Sequence, residues 1–303
     1  MVICMGENSG NIGKQLENYV TKFFARFKWR FIANNREIEC TKRATHNKKS
    51  HGLDVIFDFY NPYQSVKQTI VVECKSRKNQ SITLIDMQKW VDELISTIEC
   101  MQSSRQLEDL NITDGKIDSG MLVVFSNDGY AKEKIDKLLG QINVRVKRNP
   151  ISIYVADNNY LKRWKGLLIF SELKNNFNFI YHSIDKSSRS LLENPTLDIL
   201  YSTYIFAEYI DDKDGCPKKT AALISFDDVT IASFRYMWSM FKNYQLESYD
   251  QYSFVFYGKT AAEINYIESE FARSLTFANN NEMLNFNKKV KFDFIEDQNL
   301  IVR

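Results

Sequence analysis

Apolar residues recur at helical spacing near the start of the chain: Ile12, Leu16, Tyr19, Val20, Phe23, Phe24 and Phe27 are separated by polar positions. The spacing predicts a helix from about Gly10 to Phe27, with its N-cap among Asn8, Ser9 and Asn11. Trp29 to Ala33 reads as a strand, and the polar, basic stretch 34–52 as a loop or hairpin tip. In LDVIFDFY, residues 53–60, Leu53, Val55, Phe57 and Phe59 take one face and Asp54, Ile56, Asp58 and Tyr60 the other, as in a strand. A turn at Asn61-Pro62 leads to a more apolar strand, Gln68–Ser76, suited to the middle of a sheet. The pattern continues as a helix over Thr83–Gln102, a buried strand over Gly120–Ser126 and a helix over Ala131–Ile142. A strand over Ile151–Ala156 and a helix from Asn158 to about Lys174 follow.

The polar region 175–195 reads as irregular and as the boundary between two domains, 1–175 and 190–303. Beyond it, Ile199–Ile210 and Thr220–Phe226 read as strands joined by the turn DDKDGCPK. A helix near 229–244, a strand Tyr252–Tyr257, a helix near 260–276 and a last strand Val290–Phe294 complete the chain. Alternating helices and strands place the fold in the α/β class, followed by a smaller α+β domain.

Composition excludes a disordered or low-complexity chain: 44% of the 303 residues are hydrophobic and only 4 are proline. The net charge of +2 names no partner, but its distribution is uneven. Residues 1–80 hold 14 Lys/Arg against 7 Asp/Glu, and residues 191–303 hold 11 against 17. A basic first part suits a polyanion such as nucleic acid, and scatter among solvated surfaces fits the charge equally well. Cys4, Cys40, Cys74, Cys100 and Cys216 form no CxxC pair. With His46, His51 and His182 they show no zinc-ligand spacing, so free thiols in a reducing cytoplasm are expected. No apolar run reaches the roughly 18–20 residues of a membrane span, so no membrane partner is expected.

The sharpest chemical signal lies on two neighbouring strands. Residues i and i+2 of a strand share a face, so Glu73 and Lys75 point the same way. Antiparallel pairing with the 53–60 strand brings Asp54 beside them. Two carboxylates can hold Mg²⁺ and leave positions for water and phosphate, and a nearby lysine can stabilise charge on phosphate oxygens. The acid-x-Lys spacing recurs at Asp114/Lys116, Glu172/Lys174 and Asp211/Lys213, so on spacing alone a surface ion pair is the plainer reading. Asp157, Glu172 and Lys174 form the main rival group. Asp58 shares the face of Asp54 but lies about 13 Å along the strand, too far to join the same metal.

Gly52-x-Asp54, 18 residues, then Glu73-x-Lys75, resembles the active-site pattern of the PD-(D/E)xK nuclease superfamily, with the restriction-endonuclease-like fold, and its Mrr-like branch most closely. The proline of the superfamily's name is absent, as in many members with Gly-x-Asp. The likeness extends over about residues 6–130. It adds Glu17 on the leading helix (GNIGKQLENYVTKFF) and Gln88 on the following one (LIDMQKWVDEL). The resemblance implies that Asp54 and Glu73 bind Mg²⁺, or Mn²⁺ in its place, with the Cys74 backbone carbonyl as a further ligand. It implies that Lys75 is the catalytic lysine, Glu17 an accessory carboxylate and Gln88 an orienting group for lysine or phosphate. The opening MGENSGNIGK before such a core also resembles the nuclease subunit of a two-protein gene-island anti-phage system. The superfamily likeness implies a Mg²⁺-dependent DNA endonuclease, and the gene-island likeness a separate partner protein.

The basic residues Lys42, Arg43, Lys48, Lys49, Arg77 and Lys78 flank the motif and suit a phosphate backbone. The acidic C-terminal part shows no catalytic motif, and a protein-partner or homodimerisation role is expected of it. The main alternative to a DNA endonuclease is a catalytically silent nucleic-acid-binding or assembly subunit on the same fold. No GxSxG, HExxH or Walker A segment supports another hydrolase or a motor.

Overall fold

The computed structural model describes residues 5–302, apart from 111, 113–114, 145–149, 184–187, 213–214, 228–229, 247 and 275–288. The chain forms two compact units, residues 1–161 with 300–303, and residues 162–299.

The first unit is built on a five-stranded sheet in sequence order. Its strands are β1 (Arg30–Glu39), β2 (Ser50–Asn61), β3 (Val66–Arg77), β4 (Gly115–Ser126) and β5 (Ser152–Ala156). β1, β2 and β3 pair antiparallel, while β3, β4 and β5 run parallel. Two helices, α1 (Met5–Arg26) and α3 (Leu84–Met101), sandwich this sheet. A one-turn helix α2 (Arg43–His46) joins β1 to β2, and α4 (Lys132–Leu139) follows β4.

The middle of β2 is buried on both faces, as its apolar run requires. On the α1 face, Phe24 stacks on Trp29 at 4.4 Å between ring centroids, Trp29 stacks on Phe59 at 4.5 Å, and Phe57 meets Phe24 edge-on at 5.7 Å. On the other face, Ile56, Val71, Leu122 and Val124 pack with Trp90, Leu94 and Ile98 of α3. Thr83 caps α3 reciprocally with Asp86.

Gly120 sits where α3 comes closest to β4. A Cβ there would lie 2.6 Å from Ile98 Cδ1 and 3.0 Å from Leu94 Cγ. Gly120→Ala is expected to cost about 1–3 kcal/mol through overpacking, read as a lower midpoint in denaturant with an unchanged slope.

Two expectations change here. The stretch 34–52, expected as a loop or hairpin tip, is the end of the β1–β2 hairpin, but only 40–49 is its tip and the flanks are strand. β1 runs on to Glu39 in register with β2, ending Ile38↔His51 and Glu39↔Ser50. β1 is an edge strand, and within 34–39 only Ile38 is buried, so a polar sequence is tolerated. The expected N-cap residues Asn8, Ser9 and Asn11 lie inside α1, which begins at Met5.

The second unit carries a six-stranded mixed sheet in the order β11-β10-β9-β8-β6-β7. Its strands are β6 (Asn175–His182), β7 (Arg189–Leu192), β8 (Tyr204–Asp211), β9 (Lys218–Ser225), β10 (Gln251–Tyr257) and β11 (Val290–Ile295). The polar segment 175–195 therefore holds a hairpin, with the edge strand β7 largely exposed. The expected strand from Ile199 begins instead as a short helix α6 (Leu197–Tyr201), capped by Thr196, and β8 starts at Tyr204. Helices α7 (Ile231–Asn243) and α8 (Ala261–Ser274) cover one face through Phe234, Phe241 and Phe271 against Phe254 and Phe256. Phe206 and Tyr209 of β8 are buried in this unit as well, whereas Tyr236 of α7 is exposed. Parts of the expected DDKDGCPK turn and the ends of the helices near 229 and 276 lie outside the described residues. Helix α5 (Asn158–Glu172) follows β5. No described helix is long and apolar enough to cross a membrane.

Candidate active site

The β2–β3 ladder ends on this side with the pair Val55↔Val72. Past it, side chains take over from backbone pairing. Asp54 Oδ2 accepts the Cys74 backbone N–H at 2.7 Å, which fixes the carboxylate against β3. Glu73 and Lys75 share the next stretch of β3, and the Lys75 ammonium donates to Glu73 Oε1. Both are largely buried, with side chains 13% and 22% exposed. β3 is the central strand, paired with β4 through Glu73↔Leu122 and Lys75↔Val124, so these side chains stand on a rigid support.

Glu17, from the middle of α1, completes the group. Burial and the Asp54 charge push its carboxyl above the ordinary value, while a hydrogen bond from Asn35 and the charges of Lys14 and Lys75 oppose this. Its Oε2 is buried without a hydrogen-bond partner. Burial raises the Asp54 carboxyl, against the Cys74 N–H and Lys75. Burial and then Asp54 raise Glu73, against Lys75. For Lys75, burial pulls the ammonium down, but Glu73, Asp54 and Glu93 together outweigh it and the value rises. Lys75 is therefore charged at neutral pH. It can donate hydrogen bonds and balance negative charge, but it is not a ready proton acceptor.

Three carboxylates sharing one ammonium is the electrostatic signature of a site short of positive charge. Its hard oxygen donors, and the orphaned Glu17 Oε2 among them, suit a divalent cation. The folded state holds these carboxyl protons more tightly than the unfolded chain. Stability without metal is thus expected to fall as pH rises from the ordinary carboxylate range through the raised values. A divalent ion needs the ionised carboxylates, so its affinity is expected to increase over the same rise. Thermal melts with and without a divalent ion across that range check this. The metal-induced gain should be absent at the acid end and grow toward neutrality.

The remaining predicted residues fall elsewhere or have other partners. The Gln88 amide exchanges two hydrogen bonds with the Asn143 backbone, at 3.0 and 2.9 Å, and meets Asp92 at 3.2 Å. It would reach a phosphate or Lys75 only by releasing them. Asp58 accepts both Arg30 Nε and a terminal nitrogen of the same guanidinium, which occupies it fully. In the rival group, Asp157 caps α5 by accepting the Asn159 and Tyr160 N–H groups at 2.9 and 3.0 Å. Lys174 bonds Asp293 at 2.8 Å. Asp114 lies outside the described residues. Among the basic residues, Lys42 faces Glu99 at 3.6 Å, Arg43 faces Glu39 at 3.4 Å and Lys48 faces Glu93 at 3.0 Å. Lys49, Arg77 and Lys78 are exposed.

Sequence reasoning missed Asn35 and Glu93. Asn35, in the left-handed region at φ 47°, supports Glu17. Glu93 of α3 perturbs both Glu73 and Lys75. Neither has a spacing rule to reveal it. Nor did the sequence show that Cys40, His46, His51 and Cys100 converge, each offering a potential metal-ligand atom within 4.8 Å of the others. They come from α2, β2, α3 and the residue just after β1, and Cys40 and Cys100 are 60 residues apart, so no linear motif announces them.

Comparison with known families identifies the first unit. The family described as GAPS4 protein PD-(D/E)XK nuclease domain matches residues 5–160, just over half of the chain and nearly the whole first unit. PD-(D/E)xK nucleases generally use divalent metals. No curated protein matches the chain. The chain therefore belongs to the GAPS4 PD-(D/E)XK nuclease family, a family of gene-island anti-phage defence nucleases.

Proposed function

We propose that this protein is a Mg²⁺-dependent DNA endonuclease acting in anti-phage defence. One observation carries the reading. Carboxylates from α1, β2 and β3 share an electrostatic neighbourhood with a single buried lysine, and Glu17 Oε2 is buried there without a partner. Asp54, Glu73 and the Cys74 carbonyl would hold the ion, with Glu17 as an accessory carboxylate. A bound divalent ion supplies polarisation of the phosphodiester and a more acidic water.

The protein's own groups do the rest. Lys75, held charged by its neighbours, would donate to a phosphate oxygen and balance the charge that develops there. Asp54 and Glu73 are positioned by β2 and β3 before any substrate arrives, so little reorganisation is needed. Lys42, Arg43 and Lys48 pair with carboxylates across half-exposed contacts that contribute little, so a phosphate backbone can replace those partners. Lys49 just before β2, and Arg77 and Lys78 just past Lys75 of β3, add exposed cations. The second unit, acidic by sequence, would serve a protein partner or a second copy of the chain.

The reading is tested by incubating the purified full chain with duplex DNA, single-stranded DNA and RNA under Mg²⁺ or Mn²⁺. Internal cleavage of DNA with either ion, and none without, is the expected result. Metal-independent cutting, or cutting of RNA alone, would overturn it.

A further inference from the structure

We propose that Cys40, His46, His51 and Cys100 bind one structural Zn²⁺, separate from the carboxylate site and independent of the nuclease reading. Cys40 directly follows β1, His46 ends α2, His51 opens β2, and Cys100 lies in the last turn of α3. One ligand atom from each lies within 4.8 Å of all the others.

The distances match a tetrahedron around an ion. Zn–S bonds of about 2.3 Å and Zn–N bonds of about 2.0–2.1 Å give edges of about 3.8 Å for S···S, 3.5 Å for S···N and 3.3 Å for N···N. The structure has Cys40 Sγ···Cys100 Sγ at 3.7 Å and His46 Nδ1···His51 Nε2 at 3.3 Å. Each sulfur lies 3.4 Å from His46 Nδ1.

Hydrogen bonding does not account for this packing. His46 Nε2 lies 3.1 Å from Glu99 Oε2, which places the ring proton on Nε2 and leaves Nδ1 a single lone pair. Three neighbours crowd that one lone pair at 3.3–3.4 Å. A cation at their centre resolves the crowding. The carboxylate behind a ligating imidazole is also the usual outer support of a zinc-bound histidine.

The donor set and burial select the metal and its role. Two thiolates and two neutral imidazoles in tetrahedral array favour zinc, and two thiolates cancel its charge, so the buried site is neutral. Cys100 is 0% exposed, Cys40 and His51 are 3% exposed, and the His46 side chain is 5% exposed. With four protein ligands and no open position, the site is structural. The ion would tie the loop bearing Lys42, Arg43, Lys48 and Lys49 to the end of α3. A Cys40–Cys100 disulfide is the competing chemistry, but it needs sulfurs about 2.05 Å apart.

The test is metal analysis of the full chain, purified without chelator or nickel resin from zinc-supplemented cells. One zinc per chain is expected. Cobalt in its place should give the ligand-field bands of a tetrahedral site and a thiolate-to-cobalt charge-transfer band. Cys40→Ser and Cys100→Ser should lose the metal. Cys216→Ser, at an exposed free cysteine, and Asp54→Asn should keep it. If the serine variants fail to fold, His51→Cys decides the matter: a three-cysteine, one-histidine set should still bind zinc and strengthen the cobalt charge-transfer band. A folded wild-type chain that takes up neither zinc nor cobalt, or that carries a Cys40–Cys100 disulfide, would overturn the proposal.

Discussion

Asp54→Asn is expected to lower DNA cleavage by roughly 10³-fold or more, equivalent to about 4 kcal/mol of transition-state stabilisation. The substitution is nearly isosteric. Its side-chain oxygen can still accept the Cys74 N–H that Asp54 Oδ2 accepts at 2.7 Å, so the β2–β3 junction is kept. What disappears is one negative charge from a group of three carboxylates. Without metal, that charge repels Glu17 and Glu73. The metal-free variant should therefore melt higher than wild type, by roughly 2–4 °C if about 1 kcal/mol of repulsion is relieved. The metal response should go the other way. Wild type at 100 times its dissociation constant for the ion gains about 2.7 kcal/mol, and the variant should gain little. Lower activity with higher metal-free stability separates a functional carboxylate from one that simply holds the sheet end together. Activity and melting temperature falling together would favour the structural role.

Lys75→Met should also remove cleavage, by roughly 10²–10⁴-fold, but with the opposite thermal signature. The methionine keeps much of the side chain's length and apolar contact. Glu73 then loses its ammonium partner, and the carboxylate group has no internal cation to balance it. The metal-free variant should melt lower than wild type. A divalent ion then relieves more repulsion, so the metal-induced rise in melting temperature should equal or exceed that of wild type. Retained metal binding with lost cleavage would place Lys75 on the phosphate. Loss of both would make it only a counter-charge for Glu73.

The parts of this site that the sequence reveals are those governed by short-range periodicity. Glu73 and Lys75 are legible because i and i+2 share a strand face, and β3 is apolar enough to be recognised as a strand. Asp54 follows once β2 is paired with β3. Glu17 is one polar helix residue among several, and only likeness to a known family singles it out. Asn35 and Glu93 are invisible beforehand because the fold alone brings them to the site. The cluster of Cys40, His46, His51 and Cys100 is hidden for the same reason.

The errors in the fold have equally local causes. β1 beyond Ala33 and β7 are edge strands whose exposed faces accept polar residues, so their sequences resemble loops, and the asparagines that open β6 hide the strand that pairs with β7. The apolar run Leu197–Tyr201 has no periodicity long enough to distinguish a helical turn from a strand, and the Thr196 cap decides in favour of the helix.

The most direct test is single-turnover cleavage of supercoiled plasmid by the full chain, with wild type, Asp54→Asn and Lys75→Met side by side. Each is assayed with Mg²⁺ and with EDTA followed by Mg²⁺ readdition, and zinc content is measured throughout. The account predicts Mg²⁺-restorable cutting by wild type alone, with zinc unchanged in all three proteins. Cutting by either variant at the wild-type rate would contradict it.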